Sequence, residues 1–395
     1  MTESLITASR VIIGPNGSFI PDGAVLVRGD RIAAVGPREE LEQLAPTGLP
    51  TTAFPHGTLL PGLIDSHVHL IFDASNDPLT AVQNTDDDAL LEGMAERAQQ
   101  LLHSGVTTVR DLGDRNGLVI RLRDAINDTT LPGPRILSSA TPLTSPGGHL
   151  YIFGGEVADE DAIRDMVRRN ADRGADVIKI MGTGGGMTKD GPAIWQNQFT
   201  EHQLRVTVEE AGRHGHPVAV HAHGTDGIEA AVNAGVATIE HCTWMSEGGG
   251  FDLREDLAEK IKTQGISVCP ATSPNWRALA ERVGHQRAEE MFSSMRWMAR
   301  LGIPMIVGTD AGVPRAAFDK IVSALEFYQY LGLTNDKIID MVTADAAQAL
   351  GITDTGRLAE GHRADILAVD GDPLTDLGAL RNVRLVVSEG RTVRR

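Results

Sequence analysis

Cysteine is nearly missing from this chain: only Cys242 and Cys269 occur. Two thiols cannot form a disulfide framework for 395 residues, so a reducing compartment is expected, with a cytoplasmic location. Aromatic residues make up only 4% of the sequence, which leaves the core to Val, Ile, Leu and Ala. Positive charge is also in deficit, with 36 Lys and Arg against 53 Asp and Glu, a net charge of −17. That balance argues against nucleic acid or an anionic membrane as partner, because both are held through clustered cations. No apolar run is long enough to span a bilayer. The opening Met-Thr-Glu-Ser lacks a basic segment followed by an apolar one, so no signal peptide is expected. The basic residues are mostly Arg, which makes a lysine inside an apolar run conspicuous. What remains is ordinary for a globular protein, with 41% hydrophobic and 23% charged residues, and 43 glycines suited to many tight loops.

Both ends of the chain read as strands. Residues 24–28 and 31–35 flank Gly29-Asp30, a hairpin signal. Residues 364–369 and 383–387 are β-like and separated by a Gly-Asp-Pro turn. Neither end has a helix long enough to cover a sheet, so a small β-sandwich domain built from 1–58 and 352–395 is expected. Between them, in 59–351, apolar strand runs fall at 63–69, 107–112, 135–140, 176–181, 217–223, 237–241, 266–271 and 304–310. Helical periodicity follows many of them, as at 88–103, 159–174, 201–214, 253–264 and 336–350. Alternation of this kind implies parallel pairing. An open doubly wound sheet would show it too, but eight units favour an α/β (β/α)₈ TIM barrel. The Gly-rich stretch 181–198 after the fourth strand reads as an active-site loop.

In such a barrel the strand C-termini face the active site. Strand 1 ends in Asp65-Ser66-His67-Val68-His69, strand 5 in His221-Ala222-His223, strand 6 in Glu240-His241 and strand 8 in Thr309-Asp310. His67 and His69 are two apart, so both imidazoles point to one side of a strand and can reach one ion. Lys179 sits between Ile178 and Ile180, where an unpaired ammonium is costly. Two readings stand for it: a lysine paired to a carboxylate, or a neutral amine that takes up carbon dioxide and becomes a bridging carbamate. Strands 8 and 1 are neighbours in a closed barrel. Asp310 is therefore expected beside His67 and His69, and His221 and His241 beside Lys179. The joint placement predicts two divalent metal ions bridged by N6-carboxylated Lys179. Zinc is the first expectation, and manganese or cobalt suit the same donors.

Residues 62–69, Gly-Leu-Ile-Asp-Ser-His-Val-His, resemble the first metal motif of the amidohydrolase superfamily. The run Gly356-Arg357-Leu358-Ala359-Glu360-Gly361, followed by Ala364-Asp365-Ile366, is similar to its C-terminal portion. Ile178-Lys179-Ile180, His221-Ala222-His223-Gly224, Ile239-Glu240-His241 and residues 308–312 (Gly-Thr-Asp-Ala-Gly) resemble the imidazolonepropionase-like metallo-carboxypeptidases. That group includes Xaa-Pro and Xaa-Arg dipeptidases and an ochratoxin-cleaving enzyme. The resemblance implies that His67, His69, Lys179, His221, His241 and Asp310 are ligands and that His223 polarises the substrate instead. It implies hydrolysis of an amide in a small peptide or N-acyl amino acid, with Asp310 as general base and His223 stabilising the oxyanion. Two other reactions fit the same motifs: removal of a follower peptide from a peptide natural product, as in the bottromycin pathway, and opening of a cyclic amide. A metal-free scaffold is disfavoured by the complete ligand set.

Several further residues carry expectations. His149, in the loop after strand 3, reads either as a substrate contact or as a histidine bonded within its loop. Arg110 and Asp111 are expected to form an ion pair beneath the metals. Cys242 and Cys269 are expected to pack in the core. Trp244 stands where the carboxypeptidase group often carries tyrosine, which bears on recognition of a substrate carboxylate. Glu247 reads either as a solvated loop residue or as a contact for a basic substrate. Trp297 is expected either in the core or against a second subunit of a homo-oligomer.

Overall fold

The computed structural model describes residues 3–394; the first two residues of the Met-Thr-Glu-Ser opening lie outside them. Strands β1 (Glu3–Ile12), β2 (Phe19–Arg28), β3 (Arg31–Pro37) and β4 (Thr51–Pro61) come from the N-terminal segment. The Gly29-Asp30 hairpin joins β2 to β3 as expected, with Gly29 at φ 62°. Seven barrel strands follow: β5 (Leu63–Val68), β6 (Val106–Asp111), β7 (Arg135–Ser138), β8 (Ile178–Met181), β9 (Val218–Gly224), β10 (Thr238–Met245) and β11 (Ser267–Cys269). The chain returns through β12 (Ile366–Asp370), β13 (Val383–Ser388) and β14 (Arg391–Arg394). The two ends combine in one seven-stranded sheet of order β14-β13-β12-β4-β1-β2-β3. Ile6, Val25, Leu59, Ile366 and Leu385 pack together as a core of this sheet.

The parallel strands form two ladders, β5-β6-β7 and β8-β9-β10-β11. Backbone hydrogen bonds join them on both sides. Leu143 exchanges bonds with Lys179 and Met181 (2.9 and 2.8 Å), which links the chain just after β7 to β8. On the other side, Ile306 N donates to Val268 O (2.9 Å), Ser66 N to Val307 O (2.9 Å) and Asp310 N to His67 O (2.8 Å). The segment 304–310 thus occupies the eighth position between β11 and β5, and the ring of eight closes.

That eighth segment differs from expectation in having no regular ladder. Val307 N donates to Met341 O of a neighbouring helix (3.1 Å), which diverts it from a strand partner. Gly308 lies so close to strand 1 that a Cβ there would stand 2.6 Å from the Cβ of His67. The helices at Asp87–His103, Glu160–Asp172, Glu201–Arg213 and Glu255–Thr263 match their expected positions. Asp86, Asp159 and Thr200 cap the first three with side-chain acceptors. The expected helix over 336–350 is instead two, Asn335–Met341 and Ala344–Ala349. The carbonyls of Met341 and Val342 accept from Val307 and Ile64 of the barrel, so the helix breaks there. No helix of the described residues is long and apolar enough to cross a membrane.

Candidate metal centre

The C-terminal ends of the barrel strands bring the expected residues to one cavity of about 270 Å³. His67, His69, His149, Lys179, His221, His223, His241 and Asp310 all line it. Among the described residues three groups of donors have ligating atoms within 4.8 Å of one another, and two of them line this cavity: His67, His69 and Asp310, and His221, His223 and His241. In the first, the Nε2 atoms of His67 and His69 each stand 3.6 Å from Asp310 Oδ1. In the second, the His221 and His241 rings meet edge-on at 4.6 Å, and His223 stacks on His241 at 4.6 Å. His223, expected to polarise the substrate and not to ligate, thus has a ring nitrogen within 4.8 Å of those of His221 and His241. Its Nδ1 is engaged by Thr243 Oγ1 at 3.0 Å.

Burial sets the charge state of these groups. It holds His69, His221 and His241 well below the usual histidine range, and neighbouring imidazoles add to the effect. Neutral imidazoles are the form that binds a cation. Lys179 is 1% exposed and its Nζ has no hydrogen-bond partner. Desolvation lowers its pKa to about 8, against the opposing pull of Glu240. Asp310 is pushed upward by burial and pulled back by His67 and Lys179. A buried amine without a partner, next to two clusters of histidine and aspartate donors, fits a site that takes cations and a modified lysine.

Backbone strain concentrates here. His241, Cys242 and Trp244 have φ of 66°, 50° and 59°, and Asp310 has φ 56°. Non-glycine residues in the left-handed region cost energy and gather at functional sites. Side chains still alternate along the end of β10: His241, Thr243 and Met245 line the adjoining cavity, whereas Trp244 is fully buried with its ring 5.1 Å from Trp297. The indole that replaces the family tyrosine thus leaves the site altogether, and Trp297 packs against it.

Beneath the cavity a polar network fixes the imidazole of His67. Its Nδ1 lies 2.8 Å from Glu240 Oε2, so the ring presents Nε2 upward. Arg110 donates to Glu240 Oε1 (2.8 Å), Ser66 O (2.7 Å) and Thr238 Oγ1 (3.0 Å). Burial opposes ionisation of Glu240, but Arg110 and the His67 hydrogen bond outweigh it and hold the carboxyl well below its usual range. The expected Arg110–Asp111 pair is not formed. Adjacent strand residues point to opposite faces, and Asp111 instead accepts from Leu70 N (2.7 Å) and Gly113 N (3.0 Å). Cys269 lies near His67 and Glu240. Burial raises its thiol pKa, and that of Cys242, well above the ordinary range, so both are inert packing groups.

Other supporting residues escaped the sequence reading. Asp65 accepts from Thr309 Oγ1 (2.6 Å) and Thr309 N (3.0 Å), tying strand 1 to the residue before Asp310. Gln198 donates to Met181 O and Thr183 O while its Oε1 accepts from His149 N, which pins the Gly-rich loop over the barrel mouth. His149 is bonded outside its own loop: its Nδ1 lies 3.2 Å from Thr188 Oγ1 of the loop after β8, and its ring stands 4.8 Å from that of His221. A Cβ on Gly185 would come within 2.4 Å of the His149 ring, so only glycine fits there. Glu247 is exposed, as a solvated loop residue would be.

Comparison with known proteins agrees with this geometry. The ochratoxinase of Aspergillus niger is 28% identical over an alignment spanning 97% of this chain and 84% of the relative. Imidazolonepropionase of Anaeromyxobacter sp. (strain K) is 25% identical over 99% of this chain and 96% of the relative. A crystal structure of a Xaa-Pro dipeptidase with bound methionine in the active site superposes with a TM-score of 0.87 at 26% identity, covering all of both chains. A model of a bacterial imidazolonepropionase-like composite domain matches residues 23–47. The model of the amidohydrolase family matches residues 58–393, from the end of β4 to β14, and the chain belongs to that family.

Proposed function

We propose that this chain is a binuclear metal-dependent amidohydrolase that cleaves an amide in a small peptide or N-acyl amino acid. The observation that carries the reading is the fully buried, unpartnered amine of Lys179 in a cavity lined by two donor clusters, His67, His69 and Asp310 on one side and His221, His223 and His241 on the other. His67, His69 and Asp310 would hold one cation, and His221 and His241 the other. Lys179 would bridge them as a carbamate: its neutral amine adds to carbon dioxide and releases one proton. Zinc, manganese or cobalt suit these donors. Divalent cations bound there supply acidified water at neutral pH and polarise a carbonyl. Asp310 then accepts the proton of the attacking water and returns it to the leaving nitrogen. His223, with Nδ1 held by Thr243, faces the cavity and stabilises the oxyanion once its Nε2 carries a proton. In this reading residues 59–351 carry the chemistry, and the sheet from 1–58 and 352–395 supports the barrel. The names of the relatives point the same way, since an ochratoxinase and a Xaa-Pro dipeptidase both fit amide cleavage.

The test is metal analysis joined to turnover. Wild type should hold two divalent ions per chain and release amino acid from a library of dipeptides and N-acyl amino acids. Asp310→Asn should lower kcat by about 10²–10⁴-fold. Lys179→Ala should lose metal and regain it with a short carboxylate such as propionate. His223→Ala should keep both ions; a loss of one would make His223 a ligand and overturn its assigned role.

A further inference from the structure

A second cavity, of about 450 Å³, opens from the first and shares His223, His241 and Ile194 with it. Its walls are mainly apolar and come from Phe251, Trp276, Leu279, Met291, Met295 and Phe327. Trp276 meets Phe327 edge-on at 5.3 Å, which sets an aromatic floor. The helices Trp276–Val283 and His285–Leu301, which follow β11, supply most of these groups. Methionine side chains adapt to ring edges and fill irregular space. No carboxylate lines the cavity among the described residues. Three guanidinium groups do: Arg287 is paired with Glu290, Arg315 is bonded to Asn76, and Arg282 has no partner among the described residues. A cavity of about 150 Å³ accommodates one benzene ring, so this one has room for two fused rings.

Resting on the hydrolytic reading above, we infer that the substrate carries a bulky aromatic group, neutral or anionic, beside the scissile amide, and that this group occupies the Met- and Phe-lined cavity. Burial of rings against these walls favours binding, and Arg282, which has no acid partner among the described residues, disfavours a cationic group.

Two substrate series given to the metal-loaded enzyme test this and locate the group. One varies the acyl side: N-acetyl-, N-phenylacetyl- and N-(2-naphthylacetyl)-alanine. The other varies the amine side: N-acetyl-alanine, N-acetyl-phenylalanine and N-acetyl-2-naphthylalanine. In one series kcat/KM should rise at least about tenfold with the first ring. An aminomethyl-substituted aryl comparator should fall back to the level of the methyl member. Ala278→Trp, which fills the cavity from the helix Trp276–Val283, should cut the naphthyl-to-methyl ratio at least tenfold. Met295→Trp, from the opposite helix, gives the same reading should the first variant fail to fold. Turnover with a flat ratio in both series would overturn the aromatic subsite and leave the hydrolytic reading standing. No turnover of any member would overturn the hydrolytic reading instead. The cavity is then judged by calorimetric titration with 2-naphthylacetate: binding that Ala278→Trp weakens tenfold supports an aromatic site, and absence of binding overturns it.

Discussion

Replacing Arg110 by Met removes the one guanidinium that neutralises a carboxylate sealed inside the barrel. Glu240 is 0% exposed, and Arg110 is itself 3% exposed. Methionine retains much of the stem and its packing, so the change isolates the charge. Removing one partner of a buried pair costs about 3–5 kcal/mol, because the remaining charge stays buried without compensation. Glu240 would keep its bonds from Thr238 (2.5 Å) and His67 (2.8 Å), which places the expected loss near the lower end. The carbonyl of Ser66 loses its donor as well, which adds about 1 kcal/mol. Urea unfolding in chelator reads this without a contribution from metal binding. With a slope of about 3 kcal/mol/M, the midpoint should fall by roughly 1 M. The double variant Arg110→Met/Glu240→Gln should recover more than half of the loss, since the stranded charge is gone. A single variant within about 0.5 kcal/mol of wild type, or a double variant no better than the single, would refute the reasoning.

Three other outcomes are expected. Asp65→Ala strips both acceptors from Thr309 and frees the backbone before Asp310; metal affinity should drop about 10–100-fold, read by competition with a chromogenic chelator, and an unchanged affinity would make Asp65 purely structural. Gly185→Ala forces the His149 ring out of place, so kcat/KM should fall while metal content holds, at a stability cost of about 1–3 kcal/mol; unaltered kinetics would remove His149 from the site. Asp354 receives Arg135 from β7 and Arg31 from β3, at 2.7 and 2.9 Å. Burial opposes its ionisation, but the two arginines prevail and lower its pKa. Its contribution is therefore present above the ordinary carboxylate pKa and lost as pH falls through the lowered one. Asp354→Asn should cost at most about 1 kcal/mol at neutral pH, after allowance for solvent screening, with the difference fading in acid.

What was legible in the sequence was whatever depends on local period. His67 and His69 share a face because strand side chains alternate, and Lys179 stood out because nothing polar surrounds it in sequence. The hairpin at Gly29-Asp30 and seven of the eight strand runs were readable for the same reason. Legibility failed where the deciding contact was distant. Arg110 finds Glu240 across 130 positions, so the neighbouring Asp111 was the wrong partner. The segment 304–310 has a strand's composition, yet its backbone bonds are divided between the barrel and a helix. Residues 336–350 have a helix's periodicity, but two of their carbonyls turn to the barrel.

The helices after β11 bring no donor to either imidazole cluster, although they wall the larger cavity. Part of the larger cavity's wall thus lies on a stretch of chain that supplies none of the clustered donors. Substitutions accumulating in 276–301 can retarget the enzyme while the chemistry of the other strands is inherited intact. Lineages diverging from a common ancestor would then differ most in this interval, and a library randomised there alone is an economical starting point for laboratory evolution of new substrate ranges.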